Sequence, residues 1–107
     1  IRTRDWCRNV RLSDIYYCEV INRKLFVHTR NEVIAYYGRI KEAEQQTAPD
    51  FIRCHRSYLV NPGHLSEYRD GSAVLENGER IPVSKGCHGI FMKKMMEYME
   101  GQHGMSE

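Results

Sequence analysis

Apolar residues occur along this chain in short runs of strand length. Ile15-Tyr16-Tyr17-Cys18-Glu19-Val20, Leu25-Phe26-Val27-His28-Thr29 and Val33-Ile34-Ala35-Tyr36-Tyr37 are rich in β-branched and aromatic residues, the types that suit a pleated, half-buried surface. Asn22-Arg23-Lys24 and Arg30-Asn31-Glu32 interrupt them and Gly38 closes the set, so a three-strand meander with tight connections is predicted. The second half repeats the habit: Leu65 to Arg69, a turn at Asp70-Gly71, Ser72 to Leu75, a turn at Asn77-Gly78, and a return strand from Arg80 to Val83. Asn77-Gly78 reads as the strongest hairpin signal. A type I′ turn needs positive φ at both central residues, which Asn and Gly tolerate best.

Two stretches follow a different period. Arg39 to Gln46 has good helix formers and no Gly or Pro, which predicts a short helix with a thin apolar face of Ile40 and Ala43; Thr47-Ala48-Pro49-Asp50 is a loop. After Gly89, Met92, Met95, Met96 and Met99 fall at i, i+3, i+4 and i+7, with Lys93, Lys94, Glu97 and Glu100 opposite. That spacing places the methionines on one face of a terminal helix. The face is read as packing on its own domain, with an adaptable partner surface as the other reading. Gly101 and Gly104 are expected to end this helix and leave a frayed tail. The pattern as a whole predicts one mostly β domain with a short internal helix and a C-terminal helix.

Composition narrows the class. A chain of 107 residues with 41% apolar and 28% charged residues fits one globular domain able to bury a core without staples. No apolar run approaches the roughly 18 to 20 residues that span a bilayer, so no membrane contact is expected. Ile1 rather than Met stands first and no signal-peptide pattern follows it; the chain is expected to be a fragment of something longer. The net charge of +2 is small, but residues 1–56 hold 11 Lys/Arg against 7 Asp/Glu and residues 57–107 hold 5 against 7. A basic first half is compatible with nucleic acid and equally with a solvated surface. Of the four cysteines, Cys7, Cys18, Cys54 and Cys87, none forms C-x-x-C. The pairs Cys54-His55 and Cys87-His88 match no common metal spacing, because adjacent residues point to different faces. Neither metal nor cofactor is expected, and the four thiols are read as reduced.

No catalytic constellation stands out, so no enzyme is expected. Ser57 and Ser84 lie in no nucleophile elbow, the five histidines lack metal spacing, and Gly86 and Gly89 bracket Cys-His rather than a phosphate loop. The segment Phe51-Ile52-Arg53-Cys54-His55-Arg56-Ser57-Tyr58-Leu59-Val60-Asn61-Pro62 is different. It alternates apolar and polar residues and concentrates two arginines, a histidine, hydroxyls and an amide. Such groups suit guanine edges and phosphates. They equally suit internal duty, with Arg53 and Arg56 in salt bridges and His55 and Asn61 satisfying buried backbone groups.

That segment, followed by Leu75-Glu76-Asn77-Gly78-Glu79-Arg80-Ile81-Pro82-Val83-Ser84-Lys85, resembles the LytTR-type DNA-binding domain. The family pattern is approximately F-x-R-x-H-R-S-x-x-V-N and then N-G-x-x-I-P-V-S-R. Leu12-Ser13-Asp14-Ile15-Tyr16-Tyr17-Cys18-Glu19 is similar to its opening block, and the resemblance covers about residues 7 to 99. It implies an elongated arrangement of small antiparallel sheets, belonging to a cytoplasmic bacterial regulator with an upstream receiver domain. The implied activity is sequence-specific binding of double-stranded DNA, by loops entering successive major grooves of a bent duplex at promoter sites. Tandem sites and a dimer on DNA are compatible with it.

Carried over by position, the resemblance puts the DNA contacts on three loops: Asn22 and Arg23, Arg56, and Ser84 and Lys85. Lys85 departs from the family's arginine and lacks its bidentate fork. His55 and Asn61 also match the motif and are read as structural. The alternative to DNA binding is a protein-interaction module using strand edges and the methionine-rich helix.

Overall fold

The computed structural model describes residues 1–103, with the side chains of 102 and 103 left aside; the tail expected to fray after Gly104 lies outside the described residues. Eight strands run β1 (Ile15–Ile21), β2 (Lys24–Thr29), β3 (Val33–Tyr37), β4 (Ile52–His55), β5 (Tyr58–Val60), β6 (Leu65–Arg69), β7 (Ser72–Leu75) and β8 (Arg80–Pro82). Helix α1 (Ile40–Thr47) follows β3, and α2 (His88–His103) follows β8. The strands form a five-stranded antiparallel sheet in the order β3-β2-β1-β5-β4 and a three-stranded one in the order β6-β7-β8. The extents are 47 × 30 × 24 Å, which is the elongated, mostly β arrangement expected.

The two faces of the large sheet feed two cores. Cys18, Leu25, Val27, Ile34, Phe51 and Leu59 point to one side and pack under Ile40 and Ala43 of α1. Tyr17, Ile52, Cys54 and Val60 point to the other side. There they meet Ala73, Leu75 and Ile81 of the small sheet, Val83, and Phe91 and Met95 of α2. The alternation along each strand follows the two-residue period of side-chain direction. Helix α1 starts one residue later than predicted because Arg39 caps it: the Arg39 amide donates to the Glu42 carboxylate at 3.1 Å, which satisfies a free donor at the helix start.

The β5–β6 connection locks the sheets together. The Asn61 amide nitrogen donates to the carbonyls of Leu12 (3.2 Å) and Ile15 (2.9 Å), and its oxygen accepts from the Gly63 amide (2.9 Å). His64, also buried, lies 2.6 Å by Nε2 from the Ser13 carbonyl and 2.6 Å by Nδ1 from a Glu76 carboxylate oxygen. Each ring nitrogen thus has a partner within hydrogen-bond distance. Across the second core, the buried Tyr17 hydroxyl donates to Glu79 at 2.8 Å. Burial and that carboxylate hold the phenol well above its ordinary ionisation range. The Tyr17 ring also stacks on His28 at 4.1 Å. The structural reading of Asn61 therefore has a specific basis: it pairs three backbone groups, of which the Ile15 carbonyl is buried.

Three sequence expectations are corrected. Asn77-Gly78 is not a type I′ turn. Among the described non-glycine residues only Asn22 (φ 49°), Arg23 (φ 68°) and Asp70 (φ 52°) have positive φ, alongside Gly71 and Gly78. The two-residue I′ geometry thus belongs to Asn22-Arg23 and Asp70-Gly71. Asn77 instead accepts from the Glu79 amide at 3.0 Å, an Asx turn that spreads the connection over four residues between Leu75 and Arg80. The methionine stripe is split: Met95 is buried with Phe91, whereas Met92, Met96 and Met99 are 38%, 56% and 52% exposed. Phe91 carries more apolar area than any methionine, so the helix turns that side inward. Helix α2 also begins at His88, before Gly89 rather than after it, and continues through Gly101 to His103, next to Gly104.

Asn61→Ala should destabilise the domain by roughly 1–3 kcal/mol, because it strands the buried Ile15 carbonyl as well as deleting two further bonds. Urea denaturation measures this, and a loss under about 1 kcal/mol would contradict the locking role. Cys18 and Cys54 are buried, and burial pushes both thiols up to about 12. Exposed Cys7 is therefore expected to react first with a thiol reagent at neutral pH, with Cys18 and Cys54 reacting only as the fold opens. In denaturant without reductant, four thiols should titrate.

Candidate nucleic-acid interface

The three loops expected to touch DNA converge on one end of the large sheet. Asn22 and Arg23 form the turn between β1 and β2, where Ile21 pairs with Lys24. Arg56 and Ser57 form the turn between β4 and β5. Because β5 lies beside β1, with Glu19 opposite Tyr58, the second turn sits against the first, and the Val20 amide donates to the Ser57 carbonyl at 3.0 Å. Ser84 and Lys85 follow β8, and the Ser84 amide donates to the Cys54 carbonyl at 2.9 Å. Residues far apart in sequence are thus tied by main-chain bonds to neighbouring strands.

Their side chains are available. Asn22, Arg23, Arg56 and Lys85 are exposed and Ser84 is half-buried. Among the described residues, Arg23, Arg56 and Lys85 belong to no salt bridge, while Arg8, Arg30, Arg53 and Arg69 each face a carboxylate. These three loop cations are uncompensated, as are several elsewhere among the described residues, Arg11, Lys41 and Arg80 among them.

The motif segment divides its polar residues between two duties. Arg53 points inward: it donates to Glu44 of α1 at 3.0 Å and to the carbonyls of His55 and Arg56 at 2.9 Å each. The His55 ring accepts from the Ser57 amide through Nδ1 at 3.1 Å. These two residues build the turn, and Arg56, at its tip, is left to solvent. The salt-bridge reading therefore holds for Arg53 and fails for Arg56, and the structural reading of His55 holds.

The first turn carries local strain. Positive φ at a residue with a Cβ is disfavoured, and glycine is the usual occupant of the second central position of a type I′ turn. Here that position holds arginine, at φ 68°. Pattern reading missed two neighbours of this turn. Lys24 and Tyr37 are cross-strand partners; the Lys24 ammonium lies 5.6 Å from the centre of the Tyr37 ring, which is 78% exposed. An apolar strand ending in an exposed tyrosine was the available signal, but only the register sets it beside a lysine.

The remaining large concavity, about 810 Å³, lies elsewhere, bounded by Arg30, Glu44, Asp50, Asn61, Lys94 and Tyr98 among others. Its charged residues are of both signs. Among the described residues, no three His, Cys, Asp or Glu side chains gather as a metal site would require, and no helix is long and apolar enough to cross a membrane.

The fold is similar to that of known proteins. The LytTr DNA-binding domain of a response regulator from Bacillus cereus superposes with a TM-score of 0.74 at 33% identity, covering 86% of this chain and 90% of that one. The sensory transduction protein LytT of Bacillus cereus is 25% identical over 93 residues, 81% of this chain and 37% of its own length. The transcriptional regulatory protein YpdB of Escherichia coli K12 is 39% identical over 57 residues, 52% of this chain and 23% of its own. The chain thus spans well under half the length of these two relatives. The sequence profile of the LytTr DNA-binding domain matches residues 6–96, and the chain belongs to that family.

Proposed function

We propose that this domain binds double-stranded DNA sequence-specifically as the output part of a transcription regulator, with Asn22, Arg23, Arg56, Ser84 and Lys85 as its contact residues. The observation that carries the reading is the gathering of three unpaired cations on three tethered loops at one end of one sheet. A loop tip needs only one or two long polar side chains to reach a base edge, which accords with a net charge of only +2. Arg23 and Arg56 act as base readers through their bidentate forks; Lys85 acts mainly on phosphate. Lys24 and Tyr37 flank Arg23 and suit the adjacent backbone. The strained backbone at Arg23 supports the assignment, since a merely structural turn would favour glycine there.

The longer relatives, one a sensory transduction protein and one a transcriptional regulatory protein, accord with a larger regulator; an upstream receiver domain and tandem promoter sites complete the proposal. The chemistry of recognition needs no metal, cofactor or catalytic step.

The test begins with selection of a preferred duplex from a random pool. Arg23→Ala and Arg56→Ala should each cost about 1–3 kcal/mol on that duplex and relax preference at one position. Lys85→Ala should weaken preferred and scrambled duplexes alike and reduce the salt slope by about one. Lys94→Ala, in the distant groove, should change neither. If Arg23→Ala and Arg56→Ala retain full sequence preference, the loop assignment is wrong. Arg23→Gly separates strain from function: it should raise stability by roughly 0.5–1 kcal/mol while losing the same base preference. A variant that is stabilised and still discriminates would remove Arg23 from the interface.

A further inference from the structure

Helix α2 docks through Phe91 and Met95 and leaves a second apolar stripe in water. Met92, Met96 and Met99 are 38%, 56% and 52% exposed and lie at i, i+4 and i+7, the spacing of a narrow seam along one flank. A row of partly exposed methionines in line is unlike the single surface apolar residues that need no explanation. The groove formed by Lys94 and Tyr98 with the α1–β4 loop lies on the opposite flank, so no other described element fills this one.

The charges beside the seam identify its partner. Lys93 and Glu100 are exposed and seven residues apart, so they occupy the same position relative to the seam, one helical repeat of 3.5-residue packing apart. When two such helices pack antiparallel about a two-fold axis midway between Met96 and Glu97, Lys93 of one faces Glu100 of the other, and the reverse pair forms by symmetry. In parallel packing Lys93 would face the position of His88 and Glu100 that of Met95, neither of which offers an anion for the lysine. A helix with this pattern is complementary to its own antiparallel copy.

We propose that α2 is a self-association surface: two copies of this chain pair through Met92, Met96 and Met99 in antiparallel register, flanked by reciprocal Lys93–Glu100 bridges. Three methionines are far fewer than the 20–30 residues a side of a standard interface, so the pairing is weak in free solution. It becomes effective when copies are held close, as on neighbouring DNA sites, where the effective concentration rises. The surface goes beyond the reading of the loops and does not depend on it.

The experiment is sedimentation of the chain over a range of high protein concentrations, with no DNA present. Met96→Glu should abolish association while leaving the circular-dichroism spectrum and melting curve intact, because Met96 is exposed and outside both cores. Lys93→Glu and Glu100→Lys, each placing like charges opposite one another twice, should each weaken association roughly tenfold. The double variant Lys93→Glu/Glu100→Lys should restore it to within about twofold of the native chain. Failure of the native chain to associate, or association unchanged by Met96→Glu, overturns the proposal. So does a double variant as weak as the single ones, which would also remove the antiparallel register. Binding of a single-site duplex should be unchanged in all these variants.

Discussion

The hairpin of β4 and β5 is buried on both faces, and the rest of the molecule depends on that. Phe51 and Leu59 enter the core beneath α1; Ile52, Cys54 and Val60 enter the core shared with the small sheet and α2. Leu59, Val60 and Cys54 expose no surface at all. A strand buried on one side can slip its register at the cost of one face; one buried on both sides cannot, because a slip exchanges two cores. The turn at the hairpin's end is therefore held fixed, and with it Arg56.

The polar residues of this segment extend the same constraint. Arg53 uses its guanidinium on Glu44 and two carbonyls of the turn, and Asn61 closes the strand's other end onto Leu12, Ile15 and Gly63. Polar groups in such surroundings are held tightly because an unmade bond there costs more than a made one contributes. One short segment thus joins two sheets, orients a loop and leaves a single cation outward. The neighbouring Asn22-Arg23 turn shows the opposite economy: its backbone conformation is one that glycine would adopt more easily, and the fold tolerates arginine there.

Rigid attachment of the loops suits recognition without a helix in the groove. Main-chain bonds from Val20 to Ser57 and from Ser84 to Cys54 fix the loops relative to one another. Side chains presented from fixed loops lose less freedom on binding than side chains on mobile ones. Met92, Met96 and Met99, by contrast, are flexible and polarisable and lie on a helix anchored by only one side, which fits a weaker and more adaptable contact.

The sequence by itself determined most of the architecture. The meander of β1 to β3, the strands β6 to β8 and both helices follow from period and turn residues, because those signals are local. The motif blocks were also legible, as were His55 and Asn61 as structural residues. Tertiary structure decided what local pattern leaves degenerate. Arg53 and Arg56 are the same residue type three positions apart, and only the approach of Glu44 from α1 assigns one inward and the other outward. Asn77-Gly78 carries a type I′ signature, yet the Asn77 side chain turns to the Glu79 amide while Tyr17 holds the Glu79 carboxylate from across the core. Four methionines at helical spacing define one stripe in sequence. Which of them is buried depends on where Phe91 finds its pocket, and that pocket is assembled from strands distant in the chain.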